Sequence, residues 1–554
     1  MGKITKAMGI LMIISYISFL VGCSNQTIPS INYYKNIDHK EKMEDASSSP
    51  YGRYPEKVVY TLGKLSNSDH AGMPEEDDFE NNAYTRYLNE KLNIQNKNVF
   101  SGAGSDYSNM VRTAITSGDI PDLMVIEDYE TLKLLVEEDM IEDLTPYYEQ
   151  CASERLKEIY GSYGEHFFDE VTFDKKLMAF PETLIDSGPN ILWLRYDWLK
   201  QLGLKEPETI QDVIAIAREF YEQDMGQTGK TIGLPMTTAI SSDYIASMNI
   251  LFASKGAYLR NWILKDGVYQ YGSILPEAKE GLIELCQMYE EGILDQNFLF
   301  RGDQNIEQLI QEGNCGIFFG EWWSGDNPLM KAKKMNPKVD WRPYLIATDS
   351  DGKTSYVQQN PVGKYVVVRK GFEHPEIVVK MHNVLFDSLA HGDESTKEIA
   401  GYYEQNVDQT ARPCSINVDY QDALKRAYKN IHGALVGKID PEELGLLDYS
   451  YYHSCKEYLE KKEQASHVDW AAYVTRILAC SLLNENKIRK IDAFLGVENI
   501  DFSENTLENL KNLENEVYLS IIIGEKPIEA FDDFVKEWKK QGGDALTKKI
   551  NQQR

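Results

Sequence analysis

What the 554-residue sequence lacks narrows its function first. No cluster of lysine and arginine occurs anywhere, and 58 Lys plus Arg stand against 87 Asp plus Glu, a formal charge of −29. Such a surface repels phosphates, so nucleic acid is not an expected partner. Cysteine is scarce: there are seven, with no C-x-x-C pair and none beside histidine at zinc-ligand spacing. Cys151, Cys286, Cys315, Cys414, Cys455 and Cys480 are therefore expected as buried free thiols. The nine histidines are scattered as surface or packing residues. There is no Walker-type phosphate loop, no G-x-G-x-x-G after a strand, no H-E-x-x-H and no G-x-S-x-G. Ser350-Asp351-Gly352-Lys353 matches S-x-x-K only within a polar turn. No catalytic residue, metal or cofactor is signalled. A glycosidase needs two facing carboxylates about 5–10 Å apart, a geometry that sequence does not establish.

Long apolar runs are also missing, with one exception. Met8–Val21 follows Lys3 and Lys6, is too short to span a bilayer comfortably, and ends in Leu20-Val21-Gly22-Cys23. That ending looks like a bacterial lipobox. Residues 1–23 then form a lipoprotein signal peptide, and Cys23 becomes an acylated N-terminus held to the membrane by its buried methylenes. Residues 24–56, rich in Ser, Asn, Lys, Asp and Glu and including Ser47-Ser48-Ser49-Pro50, read as a flexible tether.

What remains has the balance of a globular protein, 42% apolar and 26% charged. Lys57–Leu65 alternates as a first strand. Phe79, Ala83, Tyr87 and Leu88 recur at helical spacing, as do Met110, Val111, Ala114 and Ile115 before Gly118. Leu123–Ile126 reads as a buried strand. Strand–helix–strand alternation predicts an α/β unit with a parallel sheet, whose ligands sit beyond the carboxyl ends of the strands. Asn67 and Asp69 after the first strand, and Glu127 and Asp128 after the second, thereby become candidates. Further on, Phe173–Pro181 reads as a tight hairpin and Ile191–Leu194 as a strand leading into a helix closed by Gly203. Pro276 opens a helix closed by Gly292, and Gly316–Phe319 and Tyr365–Val368 are strands. Phe531, Phe534, Val535 and Trp538 mark a last helix, expected to end at Gly542-Gly543.

The positive chemical signal is Gly320-Glu321-Trp322-Trp323-Ser324-Gly325 at a strand end. Neighbours in an extended segment point opposite ways, so two adjacent tryptophans do not both enter one core. Indole faces suit the C–H face of a sugar ring, and Glu321 suits its hydroxyls. The plainer alternative is one Trp in the core and one at a lobe edge.

Several segments together resemble family 1 of the extracellular solute-binding proteins, the carbohydrate-uptake lipoproteins of bacterial ABC transporters, in the large form of Gram-positive bacteria. Besides the lipobox, they are Thr116-Ser117-Gly118-Asp119-Ile120-Pro121-Asp122, Met140–Tyr147, Leu192–Leu199 with Gly203-Leu204, Tyr271–Ser273, Tyr289–Asp295, Gly316–Trp323, and the tail from Ile523 to Asp544. The matches keep the family's order over nearly all of residues 57–554. One departure is Asp224–Lys230, where many members carry a calcium-loop-like stretch; most oxygen ligands are gone, and no calcium is expected.

The resemblance implies an α/β, two-lobe periplasmic-binding-protein-like fold (type II), with the ligand in a cleft between lobes joined by hinge crossovers. Residues 57–185 and about 366–490 would form lobe 1, and 186–365 and about 491–554 lobe 2. Crossovers are expected near Pro181–Pro189 and Asn360–Lys370, with a third toward the C-terminus. Glu182, Glu321, Trp322, Trp323 and Arg412 would join Asn67, Asp69, Glu127 and Asp128 around a carbohydrate. Arg195 and Trp193 sit in a family motif that serves ligand or fold. The implied partners are a sugar or oligosaccharide, the permease subunits of an ABC transporter, and the outer face of the cell membrane through the lipid on Cys23; the chain is expected to be a monomer. An anchored carbohydrate-active enzyme and a sensory sugar-binding protein remain the alternatives.

Overall fold

The computed structural model describes residues 31–553 apart from 69, 391–393, 406, 498–499 and 501–503. The signal stretch with Cys23, and Asp69, lie outside the described residues. Two sheets organise the chain. The first runs in the order Ile94–Gly102, Val58–Leu65, Leu123–Ile126, Val362–Val368, Phe180–Thr183. Its first three strands are parallel, and Val362–Val368 returns from far along the chain to pair antiparallel with both neighbours. Every residue of Leu123–Ile126 is buried, as befits a strand covered on both faces. The second sheet is antiparallel, with Ile191–Arg195 between Ile317–Gly320 and Trp341–Tyr344.

Each sheet has its own core. Leu62, Leu123–Ile126, Phe180 and Val366–Val368 centre the first, and Leu192, Leu194, Ile317, Phe319 and the helices Pro276–Glu290, Glu504–Ile522 and Ala530–Trp538 build the second. A further buried cluster on the other face of the second sheet gathers Trp193, Phe318, Trp322, Trp341, Trp470 and Val474. Residues about 366–490, expected together in the first lobe, divide here. Side chains as far as Val418 pack in the first core, whereas Leu424, Trp470, Ala471, Val474, Ala479, Cys480 and Leu483 join the cluster around Trp193, and Ile431, Cys455, Ala472 and Ile477 form a small cluster of their own.

Three more differences have local causes. The helix expected from Phe79 begins at Ala83, because the Asn82 side chain accepts from the amides of Tyr84 (3.0 Å) and Thr85 (3.2 Å) and fixes the start there. Ala530–Trp538 does not stop at the glycine pair; it kinks at Gly542 (φ 118°) and continues as Asp544–Gln552. Only glycine fits at position 543, where a Cβ would lie 2.2 Å from the Trp538 ring. The expected tether carries the Ile31–Ser47 helix, and its end is docked: Ala46 and Tyr54 are buried, and the Tyr54 hydroxyl donates to Glu376 at 2.6 Å. The six described cysteines are free, and all but half-buried Cys286 are fully buried.

Candidate functional site

Three segments pass between the sheets, and they are bonded to one another. Residues 184–190 follow the Phe180–Thr183 strand, residues 358–361 precede Val362–Val368, and residues 417–423 link the two cores. The backbone N–H of Thr183 donates to Asn417 (2.9 Å), that of Leu184 to Pro361 (2.8 Å), and that of Asp186 to Gln421 (3.0 Å). Beside this knot the Glu182 carboxylate is buried among donors from two further stretches. It accepts from the Lys364 amide (3.1 Å), the Lys364 ammonium (2.9 Å) and the Asn417 amide (3.0 Å).

The crossovers border a cleft of about 1250 Å³ between the two cores. Thr183–Asn190, Tyr356–Asn360 and Asn417–Tyr420 line it together with Asp243, Glu321, Trp322 and Trp323, and the Asn190 and Gln359 amides donate directly to Asp243. The last three stand there because the Ile317–Gly320 strand ends at the cleft and turns at once into a short helical turn, Trp322–Gly325. One hydrogen bond ties the turn to the sheet, and one glycine lets it pack closely. The Trp193 indole N–H donates to the Glu321 carbonyl at 3.0 Å, and a Cβ on Gly325 would lie 2.7 Å from Thr475.

The neighbouring indoles part company. Trp322 is 7% exposed and packs in the core, with the Arg476 guanidinium 4.7 Å from its ring centre. Trp323 is half-buried, and its ring lies 5.4 Å from that of Tyr244. The Glu321 side chain makes no hydrogen bond among the described residues. Burial, and then the charge of Asp243, push its carboxyl up to about 8, so it is largely protonated at neutral pH and able to donate. Asp243 is raised as well, by burial, and accepts from Asn249 (2.6 Å) and from Gln359.

Glu321, Trp322, Trp323 and Arg412 are thus brought together at one cleft. The other sequence-derived candidates have different places. Asn67 is exposed and donates to Asp408 at 3.3 Å. Glu127 is exposed near Ser108, and Asp128 caps the Tyr129–Glu137 helix by accepting from the Thr131 amide at 2.8 Å. Glu182 is occupied in the crossover knot. None of these four lines the cleft. Arg195 is buried against Trp198 and paired with Asp197 at 2.5 Å, and Trp193 is fully buried; both serve the fold. Sequence reasoning missed Asn190, Asp243, Gln358, Gln359 and Asn417. The one available signal was the amide run Gln358-Gln359-Asn360 placed just before an apolar strand. In the Asp224–Lys230 stretch, Asp224 accepts from the Thr231 hydroxyl (2.6 Å) and the Gly229 amide (2.8 Å).

Residues 74–386 match the family described as bacterial extracellular solute-binding protein. The chain is 26% identical over 269 residues to the fructooligosaccharide ABC transporter substrate-binding protein FusA of Streptococcus pneumoniae, a match covering 43% of this chain and 47% of that protein. It is 21% identical over 468 residues to the lipoprotein LipO of Bacillus subtilis, covering 81% and 84% respectively. In solved structures it superposes on S. pneumoniae FusA in complex with kestose with a TM-score of 0.59 at 16% identity, over 89% of this chain and 98% of that one. The alginate-binding protein AlgQ2 gives a TM-score of 0.57 at 14% identity, over 90% and 98%. These likenesses establish the two-lobe binding-protein fold.

Proposed function

The chain belongs to the bacterial extracellular solute-binding proteins, and from that premise we propose that it captures a sugar or oligosaccharide in the cleft and delivers it unaltered to an ABC transporter permease. The observation carrying this reading is the meeting of the half-buried Trp323 ring and the carboxyl of Glu321 in a cleft that is also lined by the crossover amides of Asn190, Gln358 and Gln359. Indole faces take the apolar faces of sugar rings, and Gln358, Gln359, Asn190 and a protonated Glu321 hydrogen-bond hydroxyls. The cleft's size suits several sugar units rather than one. Closure of the lobes about the three crossovers would bury the ligand and present a changed surface to the permease. Similar proteins are named for binding fructooligosaccharide, kestose or alginate, which supports a carbohydrate ligand and divides between neutral and acidic sugars. No bond is broken in this reading, and the chain is not an enzyme. Acylation of Cys23 would hold the protein at the outer face of the cell membrane as a monomer; among the described residues no helix is long and apolar enough to cross a membrane.

The test is a thermal-shift screen of the chain from residue 24 against mono- and oligosaccharides. A ligand at 100 times its Kd adds about 2.7 kcal/mol of stability. A shift with the saccharide recovered intact supports capture. Release of new reducing ends from an oligosaccharide would overturn it in favour of an anchored carbohydrate-active enzyme.

A further inference from the structure

Five arginines line the cleft: Arg155, Arg260, Arg412, Arg426 and Arg476. Three have carboxylate partners. Arg260 meets Glu514 at 3.1 Å, Arg426 meets Asp422 at 2.6 Å, and Arg476 faces Asp326 at 3.6 Å. Arg155 and Arg412 have none among the described residues, and the Nε of each is buried without a hydrogen-bond partner.

Arg412 is the more telling of the two. It is 6% exposed, yet no carboxylate pairs with its guanidinium among the described residues. Nη1 donates to the side-chain oxygens of Asn417 (2.8 Å) and Gln409 (3.5 Å), and the rings of Phe386 and Tyr84 lie 5.0 and 5.6 Å from its centre. A guanidinium cannot shed its proton, so an unpaired one in a buried place keeps its full desolvation cost. Nearby, the fully buried Lys64 ammonium is satisfied by neutral oxygens only, one of them the Arg412 carbonyl at 2.8 Å. His382 is held neutral, its pKa lowered to about 4 by burial and by the charge of Arg412. The guanidinium of Arg155, at the start of the Glu154–Gly161 helix, lies 5.7 Å from the centre of the Tyr420 ring.

The two guanidiniums therefore flank one short stretch, Asn417–Tyr420, which itself lines the cleft. Of the carboxylates nearby, Glu182 is engaged with Lys364, Asp419 accepts from the Tyr420 amide at 2.7 Å and Asp448 from Asn430 at 2.8 Å; the last two feel the Arg155 charge but lie beyond ion-pair distance of either arginine. We propose that Arg155 and Arg412 receive the oxyanion groups of an acidic sugar, a uronate carboxylate or a sulfate ester, so that the captured ligand is an anionic oligosaccharide. This rests on the reading of the cleft as a carbohydrate site. A planar fork with free N–H groups matches a two-oxygen acceptor, and neutral hydroxyls would leave Arg412 without an anionic partner and Arg155 with only distant ones.

The test is calorimetric titration of the chain from residue 24 with oligogalacturonates, oligoalginates, a sulfated chondroitin disaccharide, carboxyl-reduced counterparts of the uronates, and neutral malto- and fructo-oligosaccharides. The expected result is binding of an acidic member, with its neutral counterpart about 10- to 100-fold weaker, the worth of a charge-assisted hydrogen-bond pair. Arg155→Gln and Arg412→Gln should each weaken the acidic ligand by about tenfold or more. Should R412Q fail to fold, the half-buried Arg155 carries the test alone. The carboxylate and sulfate arms identify the source of the anion. Binding of neutral oligosaccharides only, with R155Q equal to the parent, overturns the inference and leaves the capture of sugars standing. Binding of no saccharide at all overturns both.

Discussion

The indole N–H of Trp193 and the backbone carbonyl of Glu321, 3.0 Å apart, join the middle strand of the second sheet to the turn that enters the cleft. Trp193 is fully buried and pairs across the sheet with Phe318, so the turn inherits the rigidity of the sheet. Trp193→Phe removes the donor from the sheet and leaves the carbonyl only the donors of its own turn, the Ser324 hydroxyl (2.8 Å) and amide (3.1 Å). We expect a loss of about 2–4 kcal/mol in urea unfolding, part cavity and part unmade hydrogen bond, together with weaker ligand binding. Unchanged stability would mean that the bond does not fix the turn.

The two adjacent tryptophans should separate in their effects. Trp322→Ala empties a core position under Arg476 and should cost about 3–5 kcal/mol of stability. Trp323→Ala removes a half-buried ring from the cleft wall and should leave stability within about 1 kcal/mol while weakening the saccharide by about tenfold or more. Melting temperature and titration on both variants distinguish the roles; equal destabilisation by both would assign Trp323 to the core.

That division shows where sequence reasoning reaches and where it stops. The strands at Val58, Leu123, Ile191, Ile317 and Val362 were legible because buried strands write themselves as apolar or alternating runs. The Ile94–Gly102 strand was not: Gln95, Asn96, Lys97 and Asn98 are polar, and its place comes from pairing with Val58–Leu65 at the sheet's edge. At the site, Glu321 and the tryptophans were legible because a glycine-bounded Trp pair after a strand is an unusual local pattern. Asp243 and Asn417 were not, because each reaches the cleft through contacts distant in sequence. Glu182 and Asp128 had the right chemistry at the right strand ends, but their oxygens are taken up by Lys364 and Asn417 in one case and by a helix start in the other.

The crossover knot gives a prediction about closure. A Cβ on Gly363 would stand 2.5 Å from Glu182 Oε2, so Gly363→Ala must displace the carboxylate that holds Lys364 and Asn417. Glu182→Gln keeps the shape and removes the charge opposite Lys364. Both should lose about 2–4 kcal/mol and change the radius of gyration measured by X-ray scattering in the absence of ligand. Parent-like scattering and unfolding for both would show that the knot does not set the lobes' arrangement.

The docked N-terminal segment should be part of the folded unit. Lys380 is fully buried and donates to the carbonyls of Gly52 (2.8 Å) and Ala46, while Asn383 donates to that of Pro50 at 3.0 Å. Burial lowers the Lys380 pKa to about 8 even with these acceptors present. A chain beginning at Lys57 strips them away and should lose on the order of 3 kcal/mol or more relative to one beginning at Ile31. Calorimetric melting of the two chains decides; coincident transitions would return the segment to the role of a tether.

Glu321 should make stability depend on pH in an unusual direction for a carboxylate. Its ordinary pKa is 4.5, and burial together with Asp243 raises it to about 8 in the folded cleft. Between those values the folded state holds a proton that the unfolded state has lost, so stability falls as pH rises through this window. For this group alone the slope reaches at most about 1.4 kcal/mol per pH unit. Glu321→Gln keeps the shape and a donor but does not titrate. Near pH 5 the variant should match the parent, and its advantage should grow toward pH 8. Saccharide affinity should follow the same group: above pH 8 the parent loses the donated hydrogen bond and the variant does not. Denaturation and titration at pH 5, 6.5 and 8.5 measure both. Parallel stability curves would place the Glu321 carboxylate in contact with water and remove it from the hydroxyl-reading wall.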